Sequence, residues 1–511
     1  MSSTLASLPR LNAAWLASQP ALARKLGEAQ IVRRPERILQ YGEGGFLRGF
    51  FDWMIQQLNT QGLFDGSVVV VQPLPTGLVP VLNEQDGLYT QVLRGIQNGK
   101  VVEERELISS ISRGIVPQTD FKAYLNCAHN PDLRFIVSNT TEAGIACSPD
   151  DRLEDQPPVS FPAKLTQFLL ERYWSFDGAP DKGLVMLPCE LIERNGTQLK
   201  RCVLETAAKW QTGSGFVGWL EKHNLFCNTL VDRIVTGYPR DEAAVIGAEL
   251  GYEDKLLNTG EIFHSWVIEG PQSLAQELRF AEAGLAVTWT SDYKPYRDRK
   301  VRILNGAHTM TVLAAYLAGK DTVKSCMDDP VIAHYVAQGL ADEIIPTLDL
   351  PRTDLESFAA AVSERFSNPY VKHALLSIAL NSTSKFTARV LPSLKAYHQR
   401  RGAWPKRLTF SLAALLAFYR GTEIRDGALI GQRGTDEYRI QDNRDVLEFF
   451  KTLWSAKELL PSELVRRALA NTALWNEDLT AFPGLVEAVS AHLQNMMSKG
   501  AGAVLKEIEG I

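Results

Sequence analysis

The chain has 511 residues, 45% of them apolar and 22% charged. That balance excludes disordered, collagen-like and coiled-coil classes, and the length exceeds the about 250–300 residues that one core sustains, so at least two domains are expected. The net charge of −5, from 54 basic and 59 acidic residues, leaves no electrostatic footprint for nucleic acid or an anionic membrane.

Residues 1–35 read as a helical extension ending at Arg33-Arg34-Pro35. Leu5–Ala17 is broken by Pro9, Arg10 and Asn12, so it lacks the apolar core of an export signal. A strand is expected at Arg37–Tyr41, then a glycine break at Gly42-Glu43-Gly44-Gly45. Phe46, Phe50, Trp53, Met54 and Leu58 follow at helical spacing, and Ser67–Val71 is a β-branched run stopped by Pro73 and Pro75. This is a βαβ unit. Leu133–Ser138 and Gly183–Pro188 repeat the pattern of a short apolar strand ending in a polar loop, as in an open parallel sheet that binds ligands at its carboxyl edge. Thr90–Arg113 alternates and is expected as an antiparallel insertion. Beyond about residue 297 strand signals vanish and apolar residues recur at three and four, so a helical domain is expected. Its longest apolar run, Leu408–Tyr419, is too short for the roughly 20 residues of a membrane span. The polar stretch Ser291–Arg299 is the expected boundary. The domains are thus 1–35, 36–295 and 296–511, an α/β Rossmann-type domain followed by a mainly α-helical one.

The cysteines (Cys127, Cys147, Cys189, Cys202, Cys227, Cys326) form no CxxC pair and the eight histidines no HExxH. Neither a disulfide framework nor a zinc site is expected, and a reducing cytoplasm suits such a chain.

Gly42-Glu43-Gly44-Gly45-Phe46-Leu47-Arg48 lies between a strand and a helix. A dinucleotide pyrophosphate can rest on such a helix N-terminus, where amide N–H groups and the helix dipole favour an anion. Gly42 would make the turn, Gly44 would admit the phosphate and Gly45 would allow close packing, since Leu47 fills the place of the third glycine of GxGxxG. Arg48 could reach a phosphate. After the second strand stands Gln72 in place of the acid that would hold a ribose; its amide can still hydrogen-bond the ribose of the cofactor but does not repel a 2′-phosphate, so charge alone leaves NAD and NADP open.

Lys300, Asn305 and His308 are the other notable group. On an α-helix they fall near about 0°, 140° and 80°, on one broad face, with small Gly306 and Ala307 beside them. A tuned Lys can serve as acid or base, an Asn amide can donate to a developing alkoxide, and His can bind a substrate oxygen. No metal is needed. The plainer alternative is a solvated Lys and a core His on an ordinary helix.

The spacing Lys300-x4-Asn305-x2-His308 resembles that of the polyol-specific long-chain dehydrogenases, the mannitol dehydrogenase family. Gly42–Arg48 resembles its glycine turn, with Leu47 where His is common. Phe226–Ile234 is similar to its Val-Asp-Arg signature, and Thr141-Glu142-x-Gly144 to its strand-end loop near the nicotinamide. The likeness spans about residues 36–490. The segments YGEGGFLR, VVVVQP, LPCELIERNG, CNTLVDRIVTGYPRDE, RKVRILNGAHT and RFSNPYVKH resemble the branch that interconverts tagaturonate and altronate with NAD(H) in galacturonate breakdown. The resemblance implies NAD as cofactor, a sugar acid as substrate, Lys300 as acid/base, Asn305 as oxyanion donor and His308 as substrate ligand. It implies that Phe46, Thr141 and Glu142 line the cofactor and Asp232 the substrate, with a structural pairing to an Arg as the alternative for Asp232. Mannitol dehydrogenases carry a second oxyanion Asn where this chain has Leu191, after Cys189-Glu190; Glu190 or a backbone amide is then the expected substitute. A cation must meet the substrate carboxylate. Lys372, His373, Lys385 and Arg389 are at hand, Lys385 and Arg389 being favoured, with a solvated surface Lys as the alternative. Fructuronate reductase or a mannitol-type activity is the nearest rival, and a non-catalytic nucleotide sensor the rival of another class.

Overall fold

The computed structural model describes residues 8–26, 31–141, 143–456 and 458–511. The chain divides into two compact units, Met1–Arg94 with Val101–Tyr293, and Gly95–Lys100 with Lys294–Ile511.

The strands up to Tyr293, all in the first unit except the 95–97 end of β3 and residue 100 of β4, are β1 (Glu36–Tyr41), β2 (Ser67–Val71), β3 (Tyr89–Gln97), β4 (Lys100–Ile108), β5 (Ile111–Ile115), β6 (Phe135–Ser138), β7 (Val185–Pro188), β8 (Leu225–Phe226), β9 (Asn228–Asp232), β10 (Val235–Gly237), β11 (Asn258–Glu261), β12 (Ser265–Glu269) and β13 (Val287–Thr290). Six make the main sheet in the order β5-β2-β1-β6-β7-β8, and every pair is parallel. Counted along the chain within this sheet, the order is 3-2-1-4-5-6, the dinucleotide-binding arrangement, with its switch point between β1 and β6. Successive residues of β1 and β2 feed two separate cores. Ile38, Val68 and Val70 face one; Leu39, Tyr41, Val69 and Val71 face the other. Burial on both faces is why these strands read as continuous apolar runs.

The stretch expected as an antiparallel insertion divides differently. β3 and β4 enter a four-stranded sheet, β10-β11-β3-β4, in which β3 runs parallel to β11. Ile111–Ile115 leaves it and pairs with β2 as the edge strand of the main sheet; its alternation reflects an edge that is buried at Ile111 and Ile115 only. The extension has a structural place: Leu11, Leu16, Ala23 and Leu26 pack with Val92, Leu107 and Tyr252. Cys147 and Cys202 are disulfide-bonded, a single bridge where no disulfide framework is expected from the sequence, and the other four cysteines are free. The bridged pair are 55 residues apart, and only the fold-back of the loop after β6 onto the Asn195–Lys209 helix brings them together.

The second unit is mostly helical but also holds a meander, β14 (Gly421–Arg425), β15 (Ala428–Arg433) and β16 (Asp436–Ile440). The expected absence of strands is corrected here. Asp426 and Gly427, both at positive φ, form the Asp-Gly turn that was the readable hairpin signal. The apolar run is the helix Lys406–Phe418, buried on nearly every side. Among the described residues no helix is long and apolar enough to cross a membrane.

Candidate active site

In the first unit the switch point is flanked by the glycine turn after β1 and the loop after β6. Gly42 has φ +118°, and a Cβ there would lie 2.9 Å from the Asn139 carbonyl oxygen, so only glycine lets the two loops approach. Around Gly44 there is open space, and Gly44 caps its helix without a side-chain hydrogen bond. The helix continues from Gly45 through a π turn (Arg48–Asp52) to Thr60. Its first amides therefore face a cleared surface, the arrangement that accepts a pyrophosphate.

Gly45 and Gly49 provide the close packing. A Cβ on Gly45 would meet Asn258 Oδ1 at 2.9 Å, and one on Gly49 would meet Asn258 Nδ2 at 2.7 Å. Asn258, buried on β11, donates to the Gly45 carbonyl (3.0 Å) and to Gln91 (2.8 Å). Gly49, four residues after Gly45, does the work of the missing third glycine; the spacing was the available signal. Phe46 stacks on Phe50 at 5.1 Å.

Two residues expected to touch the cofactor are committed elsewhere. Arg48 is buried; its guanidinium donates to the Glu43 and Leu256 carbonyls and lies over the Tyr89 ring, so it does not extend to a phosphate. Gln72 is also buried; it donates to the Leu74 carbonyl (2.8 Å) and accepts from the Val79 amide (3.1 Å), bracing its own loop.

Thr141 is exposed, at φ +77°, and its carbonyl accepts from the Gly144 amide. Glu142 lies outside the described residues. Glu190 is buried and accepts from Ser138 Oγ (3.1 Å), the Thr140 amide (3.0 Å) and Thr140 Oγ1 (2.9 Å). Its carboxylate braces the strand-end loop and is an acceptor, so it does not replace an oxyanion donor. Asp232 ends β9, buried, opposite Ser265 of β12. Its neighbour Arg233 has the larger structural part. It donates to Gly49 (2.8 Å), Phe263 (3.1 Å) and Ile262 (3.1 Å) carbonyls and lies over Trp53 at 4.1 Å. Burial pulls its pKa down to about 9.

In the second unit Lys300–Asn305 is a π turn between the helices Lys294–Arg299 and Gly306–Leu317. A π-helix bonds i to i+5. Lys300 and Asn305, five apart, are thus one turn apart on the same side rather than spread as an α-helix would place them. Such π bulges recur at functional sites. Gly306 allows close approach, since a Cβ there would lie 3.3 Å from the Arg389 carbonyl oxygen. His308 packs against Phe366 (4.1 Å between rings) and His373 (5.5 Å). Burial first, and then His373 and the surrounding cations Arg365, Arg389 and Lys385, push its pKa down to about 3; His373 is itself lowered by burial and by Lys385, so the standing charges are the two Arg and the Lys. It is a neutral hydrogen-bonding group at any working pH.

Lys385 donates to the Ile378 carbonyl (2.8 Å). Its pKa is lowered by burial and by Arg389, with Asp442 opposing; Asp442 is itself bound by Thr383 and Tyr419. Burial lowers Arg389. Arg365, not anticipated from the sequence, joins this group on the helix Arg352–Phe366. The result is a concentration of positive charge around one neutral imidazole, which favours an anion.

One consequence is testable in folding. The folded pKa of His308 lies below the ordinary value of 6.5, so its contribution to stability is complete above pH 6.5 and is lost as pH falls towards 3. Between pH 6.5 and 4.5 the loss is roughly 2–3 kcal/mol. Urea midpoints for His308→Gln are expected to fall less steeply over this range than those of the wild type. Parallel curves would refute the burial of a neutral imidazole.

A parallel sheet of this order with a glycine turn at its switch point defines a Rossmann-type dehydrogenase domain, here joined to a helical unit that carries a Lys, Asn and His group. The chain matches the mannitol dehydrogenase Rossmann domain over residues 36–282 and the mannitol dehydrogenase C-terminal domain over residues 292–497. It is 51% identical over 470 residues to an altronate oxidoreductase of Klebsiella pneumoniae (strain 342), covering 91% of this chain and 95% of that one. It is 49% identical over 478 residues to an altronate oxidoreductase of Pectobacterium carotovorum, covering 93% and 97%. Among solved structures it shares the fold of Pseudomonas fluorescens mannitol 2-dehydrogenase in ternary complex with NAD and D-mannitol (TM-score 0.64, 22% identity, 98% and 99% covered). The same holds for a substrate-free D-sorbitol dehydrogenase (TM-score 0.74, 21% identity, 92% and 95% covered). The chain belongs to the mannitol dehydrogenase family.

Proposed function

We propose that this protein is an NAD-dependent oxidoreductase that interconverts D-tagaturonate and D-altronate, a step of galacturonate catabolism in the cytoplasm. The observation that carries the reading is half-identity to altronate oxidoreductases over nine-tenths of the chain. The cations gathered about His308 support it, because a sugar acid brings a carboxylate and a neutral polyol does not.

The dinucleotide supplies or accepts the hydride. The amides at Gly44–Phe46 would hold its pyrophosphate. In the direction of reduction Lys300 gives the proton to the carbonyl oxygen, and in oxidation it takes the hydroxyl proton back. The Asn305 amide donates to the oxygen as it gains charge, and neutral His308 hydrogen-bonds a substrate oxygen. Arg389 and Lys385 bind the remote carboxylate. Proton and polarising groups all come from side chains, so the reading calls for no metal.

The test is NADH oxidation at equal concentrations of D-tagaturonate, D-fructuronate and D-fructose. Tagaturonate is expected to give the highest kcat/KM. Fructuronate highest moves the assignment to the sister reductase, and fructose highest overturns the carboxylate site. NADH binding without turnover on any of them would indicate a nucleotide sensor.

A further inference from the structure

The acid that usually follows the second strand of a dinucleotide fold holds the adenosine ribose and repels a 2′-phosphate. Gln72 occupies that place, and its amide is spent on Leu74 and Val79. A carboxylate nevertheless reaches this edge of the sheet. The ideal Cβ position on Gly77 lies 2.1 Å from Glu43 Oε1 and 2.6 Å from Gln72 Oε1. The side chain of Glu43, the variable residue of the glycine turn, therefore extends across the end of β2 and lies beside Gln72, in space that Gly77 leaves open.

We infer that Glu43 is the residue that selects NAD over NADP, delivering from the glycine turn the carboxylate that the end of β2 lacks. This rests on the proposed use of NAD. Three features support the placement. Glu43 is partly exposed while Gln72 is buried; the Glu43 carboxylate accepts from its own amide and from the Leu78 amide, which holds it at this loop and leaves further lone pairs to meet a ligand. Its backbone is fixed, because Arg48 donates to its carbonyl (3.2 Å). The loop that receives it, residues 73–78, is Pro-Leu-Pro-Thr-Gly-Leu and carries no cation to neutralise a 2′-phosphate; Arg48 is bound to carbonyls. An ionised carboxylate is an acceptor only. It can take hydrogen bonds from the two ribose hydroxyls and has only repulsion to offer a phosphate.

The experiment is a binding titration of the full-length protein with NADH and with NADPH, followed by cofactor fluorescence without substrate. The wild type is expected to bind NADH more tightly. In Glu43→Gln the NADH dissociation constant should rise about tenfold or more, the scale of a lost hydrogen bond to a charged group, while that for NADPH stays or falls. Glu43→Asp, which keeps the charge, should keep the preference for NADH. If Glu43→Gln weakens both cofactors equally, or neither, while the wild type still prefers NADH, the role of Glu43 is overturned and the use of NAD stands. A wild type without preference overturns both.

Discussion

Lys300→Ala is expected to lower kcat by about 10²–10⁴-fold, the range of a positioned general acid or base, and to leave NADH affinity unchanged. The expectation rests on where Lys300 is held. It opens a π turn that sets it one turn from Asn305, so the proposed proton donor and the proposed oxyanion amide are presented on the same side. In the wild type kcat/KM for keto-acid reduction should fall as pH rises through the lysine pKa, because only the ammonium form can give a proton. The variant should lose that limb. Small primary amines added to Lys300→Ala should restore part of the rate, which a merely structural lysine would not permit. Stopped-flow absorbance of NADH separates the outcomes. A variant within tenfold of the wild type, with its alkaline limb intact, would remove Lys300 from the chemistry.

Much of the fold was legible because its signals are local. β1, the glycine turn, the following helix and β2 are contiguous in sequence, and each has its own mark in periodicity or in a glycine or proline break. Edge strands were harder. Ile111–Ile115 joins the main sheet through a pairing with β2, more than forty residues earlier, and its half-buried pattern looks like any hairpin strand. The meander at Gly421–Ile440 was marked by Asp426-Gly427, a short turn signal set among helices. At the site, residue types were legible and their commitments were not. Arg48 and Gln72 have the right chemistry in the right place, but buried carbonyls and a loop amide claim them. Glu43 shows the converse. In sequence it fills the variable place of a glycine turn, and only the fold brings it to the end of β2. The π turn at Lys300 is likewise invisible to an argument that assumes 3.6 residues per turn.

The cations around His308 lead to the second large effect. Arg389→Met is expected to raise KM for the sugar acid by about 10- to 150-fold, the scale of one hydrogen bond between charged groups, and to leave kcat on a neutral ketose such as fructose unchanged or improved. Arg389 and Lys385 lie one turn apart on the helix Ser382–Arg389, and burial lowers the pKa of both. Desolvated like charges at that spacing repel each other, and a bound carboxylate would relieve the repulsion. Adding Lys385→Met should therefore cost less than the first substitution, since one remaining cation no longer suffers its neighbour. The pH profile offers an independent check. Arg389 and Lys385 both push the pKa of His308 down, so removing them makes its protonation easier and moves its pKa up from about 3. An acid limb absent from the wild type should then begin to enter the activity profile of the double variant from low pH, where His308 gains a proton. If the double variant discriminates sugar acid from ketose as the wild type does, the carboxylate binds elsewhere.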